Sequence, residues 1–280
     1  MADLSQQIAK NSKSSFYYAF SLLPNEKRDA MNTVYAFCRQ TDDLVDSGDD
    51  SEELKYEKLR KWRIELDRSL LGRSDYQLLN KLAHIIKQFN IPIEPFFELI
   101  KGMEMDLQKN RYISFDDLVL YCYRVASTVG LMCIEIFGYK NTSARDFAVN
   151  LGLALQLTNI LRDVKTDAQN GRIYLPQEDM KSFGYSEQDL LNSVYNQNFI
   201  NLMKYEAERA KEYFDKANHS LDVEDKPSMF AARAMQHIYY KLLQKIEASH
   251  YNVYEKKIKV SKLEKVGIAV GVWAKYSLVY

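Results

Sequence analysis

The sequence predicts an all-α protein, a single domain spanning residues 1–280 and built as a helical bundle around a central cavity. Three observations carry this. The chain has only 10 Gly and 5 Pro in 280 residues, which favours long uninterrupted helices over many strands and turns. Long stretches repeat apolar residues at helical spacing. One of them, Gln156 to Asp167, carries a polar stripe on a helix that is otherwise apolar. A helix of that kind is normally buried, so the stripe needs a cavity to face. No period of about 20–50 residues and no dividing linker suggests repeats or a second domain.

The elements follow in order. Residues 4–20 read as one helix or two short ones, interrupted by the polar run Asn11 to Ser15. Phe16-Tyr17-Tyr18-Ala19-Phe20 is a dense aromatic patch, either core or the lining of an apolar pocket. Pro24 opens a helix through Asp46, Pro being favoured in a first turn. Ser51-Glu52-Glu53 caps a charged amphipathic helix over 52–71. Further helices are predicted over 76–89 and from Pro92 and Pro95 to Gln108. Ser114-Phe115-Asp116-Asp117 resembles a capping box and launches a helix that runs to Phe137, where Gly138 stops it. Asn141-Thr142-Ser143 is expected to cap the central helix, 143–167. After the turn at Asn170-Gly171 come two short helical pieces, long helices over 195–220 and 227–249, a basic connector from Tyr251 to Val260, and a last helix from 261.

Composition narrows the function. Hydrophobic residues make up 46% of the chain and charged residues 27%, the profile of an ordinary globular protein with a sizeable core. The formal net charge is zero, which gives no electrostatic case for nucleic acid or an anionic surface. The cysteines Cys38, Cys122 and Cys133 are odd in number and form no CxxC pair, so they read as reduced core residues. The first residues show no signal peptide, and the apolar run Val266 to Trp273 is too short to span a bilayer. The expectation is a cytoplasmic protein without a transmembrane segment.

The chemistry lies in the acids. At about 100° per residue, Gln156, Asn159, Asp163 and Asp167 fall within an arc of roughly 80°. By the same arithmetic Arg39, Asp42, Asp43 and Asp46 share one face of the earlier helix. An isolated acidic pair is usually a solvated face. Here two pairs stand among apolar residues, each beside an Arg, and the second is extended by two amides. Carboxylates converging in one cavity repel unless cations balance them. Mg²⁺ suits them, because it takes oxygen ligands, keeps several waters and is usually completed by phosphates. Diphosphate is then the expected ligand, with Arg39, Arg162, Arg172 and the Lys256 region as its contacts. The deduced chemistry is departure of diphosphate with metal assistance, leaving a carbocation among aromatic faces in a cavity fit for a long hydrocarbon tail.

Five segments, in the right order and across most of the chain, resemble the squalene/phytoene synthase family. They are Ser14-Ser15-Phe16-Tyr17-Tyr18-Ala19-Phe20 with Leu23-Pro24, Tyr35 to Asp46, Tyr121 to Gly130, Leu155 to Asp167, and Arg172-Ile173-Tyr174-Leu175-Pro176. The resemblance implies the isoprenoid synthase-type bundle. It implies that Asp42 and Asp46 are the first Mg²⁺-binding pair and Asp163 and Asp167 the second, with Asn159 and Gln156 supporting the second wall. Arg39 and Arg162 would contact diphosphate, as would Ser15, Tyr239 and Lys256, the last standing where Arg is often found. Tyr121 would lie near the reacting carbons. Ser12 and Ser14 replace a His and a Lys seen in some relatives, which leaves Lys13 as the nearby cation.

The implied reaction joins two prenyl diphosphates head to head. One ionises, the double bond of the other attacks its C1, and proton loss yields a cyclopropyl diphosphate. A second ionisation and rearrangement gives squalene if NADPH supplies hydride, or dehydrosqualene or phytoene if a proton is lost. The short chain, without a C-terminal anchor, resembles the bacterial branch. Gly102-Met103-Glu104-Met105-Asp106 and Arg124-Val125-Ala126-Ser127 resemble presqualene diphosphate synthases more than phytoene synthases. The main expectation is therefore two farnesyl diphosphates giving presqualene diphosphate or another C30 product. The alternatives are a phytoene synthase using geranylgeranyl diphosphate, or a prenyl diphosphate phosphatase or terpene cyclase on this fold. Phe16 and Phe20 are expected in the tail pocket, with Phe20 a candidate for its floor. A methylene contributes only about 0.8 kcal/mol, so sterics would have to reject the longer tail. A lipid-like product implies peripheral contact with a membrane.

Overall fold

The computed structural model describes residues 19–46, 48 and 50–278. The expectations for Lys13, Ser15 and Phe16, and for most of the first helix, lie outside them. The described chain forms helices α1 (Asn25–Asp46), α2 (Glu52–Leu70), α3 (Gln77–Phe89), α4 (Glu94–Gln108), α5 (Phe115–Phe137), α6 (Ser143–Gln169), α7 (Gln177–Ser182), α8 (Glu187–Leu191), α9 (Gln197–Ser220), α10 (Phe230–Ala248) and α11 (Lys262–Leu278). Among the described residues no strand forms, only one isolated parallel bridge between Arg111 and Ile173.

Local signals set most boundaries. Ser51 and Ser114 are N-caps, each accepting the amide three residues on, Leu54 N and Asp117 N at 3.3 Å. The α1 core face carries Ala30, Met31, Val34, Phe37, Thr41 and Val45, a three-to-four-residue spacing. Trp62 of α2 stacks on Phe37 with ring centroids 5.9 Å apart and donates its indole N–H to Thr41 Oγ1 at 2.9 Å.

Two expectations change. Thr142 makes no capping hydrogen bond to α6. The loop before α6 is held instead by the Asp225 carboxylate, which accepts from Lys140 N at 2.7 Å and Asn141 N at 3.0 Å. Nor is α5 a continuous α-helix: Tyr123–Ser127 forms a π-helical turn. The hydroxyls there bond backbone, Thr128 to Arg124 O at 2.7 Å and Ser127 to Val149 O at 2.8 Å. Glycines clamp the wider turn. A Cβ on Gly102 of α4 would fall 2.7 Å from Val125 Cγ1, and one on Gly152 of α6 would fall 2.5 Å from Ser127 Cα.

By length and composition α5 is the one described helix apolar enough to cross a membrane, but half of that window is buried in the bundle. It packs on α4 and α6, and α6 runs through the middle with α9 against its other side. The three cysteines are free.

Candidate active site

The helices α1, α4, α5, α6 and α10 enclose a cavity of about 580 Å³. Its lining joins Arg39 and Asp42 of α1 to Gln156, Asn159, Arg162, Asp163 and Asp167 of α6. Tyr121, Arg172, Tyr239 and Phe20 also line it. The structure thus brings together most of the residues singled out in the sequence. Its deeper wall is apolar, and Phe20 meets Phe137 there with ring centroids 6.5 Å apart.

The acids divide into two electrostatic kinds. Burial pushes the Asp42 carboxyl up to about 6, with Asp46 adding and Arg39 opposing. Burial likewise pushes Asp167 up to about 7, with Asp163 adding and the guanidiniums of Arg172 and Arg162 opposing. Asp163 differs: burial acts to raise it, but the hydrogen bond and charge of Arg162, joined by Lys257, hold it below the ordinary range. Arg162 grips Asp163 through both Nε, at 3.0 Å, and Nη2. Arg39 pairs with Asp42 at 2.9 Å and Asp43 at 2.6 Å. Asp46 stands at the exposed end of α1, 3.3 Å from Arg172. Tyr239 lies against Asn159 and Arg162, and burial raises its hydroxyl above the ordinary range.

The residues fit a divalent cation. The Asn159 Oδ1 is buried and has no hydrogen-bond partner, while its Nδ2 donates to Gln156 Oε1 at 3.4 Å. That leaves a desolvated oxygen in the wall of an acid-lined cavity, which is a costly arrangement unless a cation completes it. Among the described residues no three Asp, Glu, His or Cys side chains come close enough to hold an ion by themselves. Waters and phosphate oxygens would have to supply the remaining ligands, as suits Mg²⁺.

Three residues that the sequence offered only within longer segments, Asp106, Tyr174 and Lys257, contact the site residues. Asp106 of α4 accepts from Tyr121 at 2.9 Å and from Tyr174 at 2.9 Å, and burial raises its carboxyl. The two tyrosine rings stack with centroids 5.1 Å apart. Asp106 was a lone acid, and only the fold shows that it joins Tyr121 to the segment after α6. Both Lys256 and Lys257 are exposed and neither lines the cavity wall, but Lys257 pairs with Asp163 at 3.1 Å. Periodicity cannot choose between adjacent lysines in an irregular connector.

The sequence profile of squalene/phytoene synthase matches residues 9–264. The chain belongs to the squalene/phytoene synthase family. It is 37% identical over 273 residues to the 15-cis-phytoene synthase of Synechococcus elongatus, covering 93% of this chain and 88% of that one. Against the chloroplastic phytoene synthase of an Oncidium hybrid cultivar it is 37% identical over 266 residues, 93% of this chain but 64% of the plant protein. A ligand-bound dehydrosqualene synthase superposes with TM-score 0.86 at 31% identity, covering 99% of this chain and 96% of the other. The fold of this family member is therefore the isoprenoid synthase type, and its family makes it a prenyltransferase-type enzyme of head-to-head prenyl diphosphate condensation.

Proposed function

We propose that this enzyme joins two geranylgeranyl diphosphates head to head and carries the product on to phytoene. The observation that supports the C40 product over the expected C30 one is the set of near full-length relatives. Cyanobacterial 15-cis-phytoene synthases are 36–37% identical over 93–94% of this chain. A C30 reading draws on the dehydrosqualene synthase likeness at 31% identity.

Arg39, Arg162, Arg172 and Lys257 bind the diphosphates, exchanging their present carboxylate partners for phosphate oxygens. Asp42, Asp46, Asn159, Asp163 and Asp167 would hold Mg²⁺, with Gln156 orienting Asn159. When bound, Mg²⁺ supplies positive charge that offsets the acids and the departing diphosphate. The aromatic and apolar wall excludes water from the allylic cation and stabilises it with ring faces. Asp106 holds the Tyr121 hydroxyl so that its ring faces the cavity in a fixed pose. The double bond of the second substrate forms a bond to C1 of the first as the C1–O bond breaks, and a proton then leaves to the released diphosphate. Ionisation of the cyclopropyl diphosphate and loss of a second proton give phytoene, which needs no hydride, so turnover on this reading runs without NADPH.

The test is product identification by mass after incubation with Mg²⁺ and either geranylgeranyl or farnesyl diphosphate, with and without NADPH. The expected product is phytoene from the C20 substrate. Only C30 hydrocarbon from the C15 substrate would return the assignment to the dehydrosqualene or squalene type, and release of prenyl alcohol alone would sink condensation.

A further inference from the structure

The last helix is apolar on both sides. Ala269, Val272 and Tyr276 of α11 are buried, and the helix packs on α10. The opposite face carries Leu263, Val266, Gly267, Val270, Gly271, Trp273 and Ala274. At about 100° per residue these occupy an arc of roughly 160° that holds no charged residue. Leu263 is 86% exposed, Val270 45% and Val266 44%. A Cβ on Gly267 or Gly271 would meet nothing within 4 Å. An apolar helix face is normally buried, yet nothing in the described chain covers this one.

The surroundings say what fits it. Residues 251–280 hold six Lys and two Glu in a chain whose net charge is zero. Glu264 is already paired, accepting from Lys245 at 2.8 Å and from Ser261 N at 2.8 Å. Lys262 and Lys275 flank the bare arc on opposite sides, and Lys256, Lys257 and Lys259 precede it, all exposed. An apolar stripe with a Trp and a lysine rim is the pattern of a helix lying in a lipid interface. A second copy of the chain fits less well. From Leu263 to Ala274 the stripe is about 17 Å long and about 10 Å wide, some ~170 Å² against the ~800 Å² per partner of a stable interface.

We propose that α11 docks this protein on the surface of an anionic lipid bilayer, with Leu263, Val266, Val270 and Trp273 entering the headgroup boundary and Lys256, Lys259, Lys262 and Lys275 meeting lipid phosphates. Helix α10, on which α11 packs, supplies Ala232, Met235 and Tyr239 to the cavity wall. The docked bilayer therefore lies one helix away from the hydrocarbon-sized cavity.

The test is flotation of the full chain, without substrate, on phosphatidylcholine vesicles and on vesicles containing one third phosphatidylglycerol. Because no turnover is read, its failure and the failure of the condensation reading are distinguishable. The expected result is binding to the anionic vesicles that weakens with salt. Leu263→Glu and Val270→Glu should each lower the partition coefficient at least tenfold with an unchanged melting temperature. Trp273 emission should shift to the blue on binding, whereas Trp62, 4% exposed, should not respond. Wild-type protein that stays in solution, glutamate variants that float like wild type, or a wild-type dimer that Leu263→Glu dissolves would each overturn the proposal.

Discussion

Gly152→Ala tests whether the π-helical turn of α5 is held by close backbone approach. The new Cβ would stand 2.5 Å from Ser127 Cα, 2.6 Å from Ser127 N and 2.9 Å from Ala126 C. Ordinary carbon contacts lie near ~3.5–4.0 Å, so the turn must retreat by about 1 Å. It has little room, because Gly102 presses its other side, where a Cβ would lie 2.7 Å from Val125 Cγ1. Backbone cannot rotate away as a side chain can, which puts the overpacking cost near the upper end of its usual range, ~3 kcal/mol. Losing the Ser127–Val149 hydrogen bond adds about 1 kcal/mol, and the better helix propensity of Ala returns about 1 kcal/mol. The net is about 3 kcal/mol. At about 2.1 cal/mol/K per residue over 280 residues the unfolding entropy is ~0.6 kcal/mol/K, so Tm should fall by about 5 °C. Differential scanning calorimetry reads this directly. Ala126 and Gly152 both line the cavity, so kcat/KM should fall as well. Gly267→Ala, with nothing within 4 Å, is the control and should leave Tm unchanged or raise it slightly. A Gly152→Ala protein with wild-type Tm and turnover would refute the clamp.

Asp163→Asn should reduce turnover by about 10²-fold or more while leaving helix content by circular dichroism intact, since it removes the charge proposed to hold Mg²⁺ and the partner of Arg162; full activity would remove the role proposed for it. Lys257→Ala should lower kcat/KM for the prenyl diphosphate by roughly 10-fold or more, the worth of a charge-assisted hydrogen bond, and Lys256→Ala should leave it near wild type; the reverse ranking would restore Lys256 to the site. Away from the cavity, burial raises the Glu206 carboxyl well above its ordinary range, with Arg209 opposing and Asp179 adding. The folded state therefore keeps a proton that the unfolded chain has lost, and stability from this group is complete below pH 4.5 and declines as pH rises above it. Melting curves from pH 5 to 8 should show a steeper loss of Tm in wild type than in Glu206→Gln, and parallel slopes would refute the assignment.

The helices were legible because their signals are local. Ser51 and Ser114 cap their own next turn, and apolar spacing along α1 and α6 follows the 3.6-residue period wherever the chain packs. The acid pairs were legible for the same reason: Asp42 with Asp46, and Asp163 with Asp167, share a face by helix geometry alone. The failures involve partners distant in sequence. Asp225 replaces Thr142 as the device before α6 from more than 80 residues away. The π turn in α5 depends on Gly102 and Gly152, which lie on two other helices.

By itself, then, the sequence determined the all-α class, the acid-lined faces of α1 and α6 and the family, because each is written in nearest-neighbour periodicity or in a contiguous motif. Tertiary structure decided that those faces share one cavity, that Asp106 holds Tyr121 and Tyr174, and that Lys257 rather than Lys256 meets Asp163. It also decided that burial drives Asp42 and Asp167 up while Arg162 and Lys257 hold Asp163 down. Desolvation and charge pairing depend on what surrounds a group in space, and chain order does not carry that.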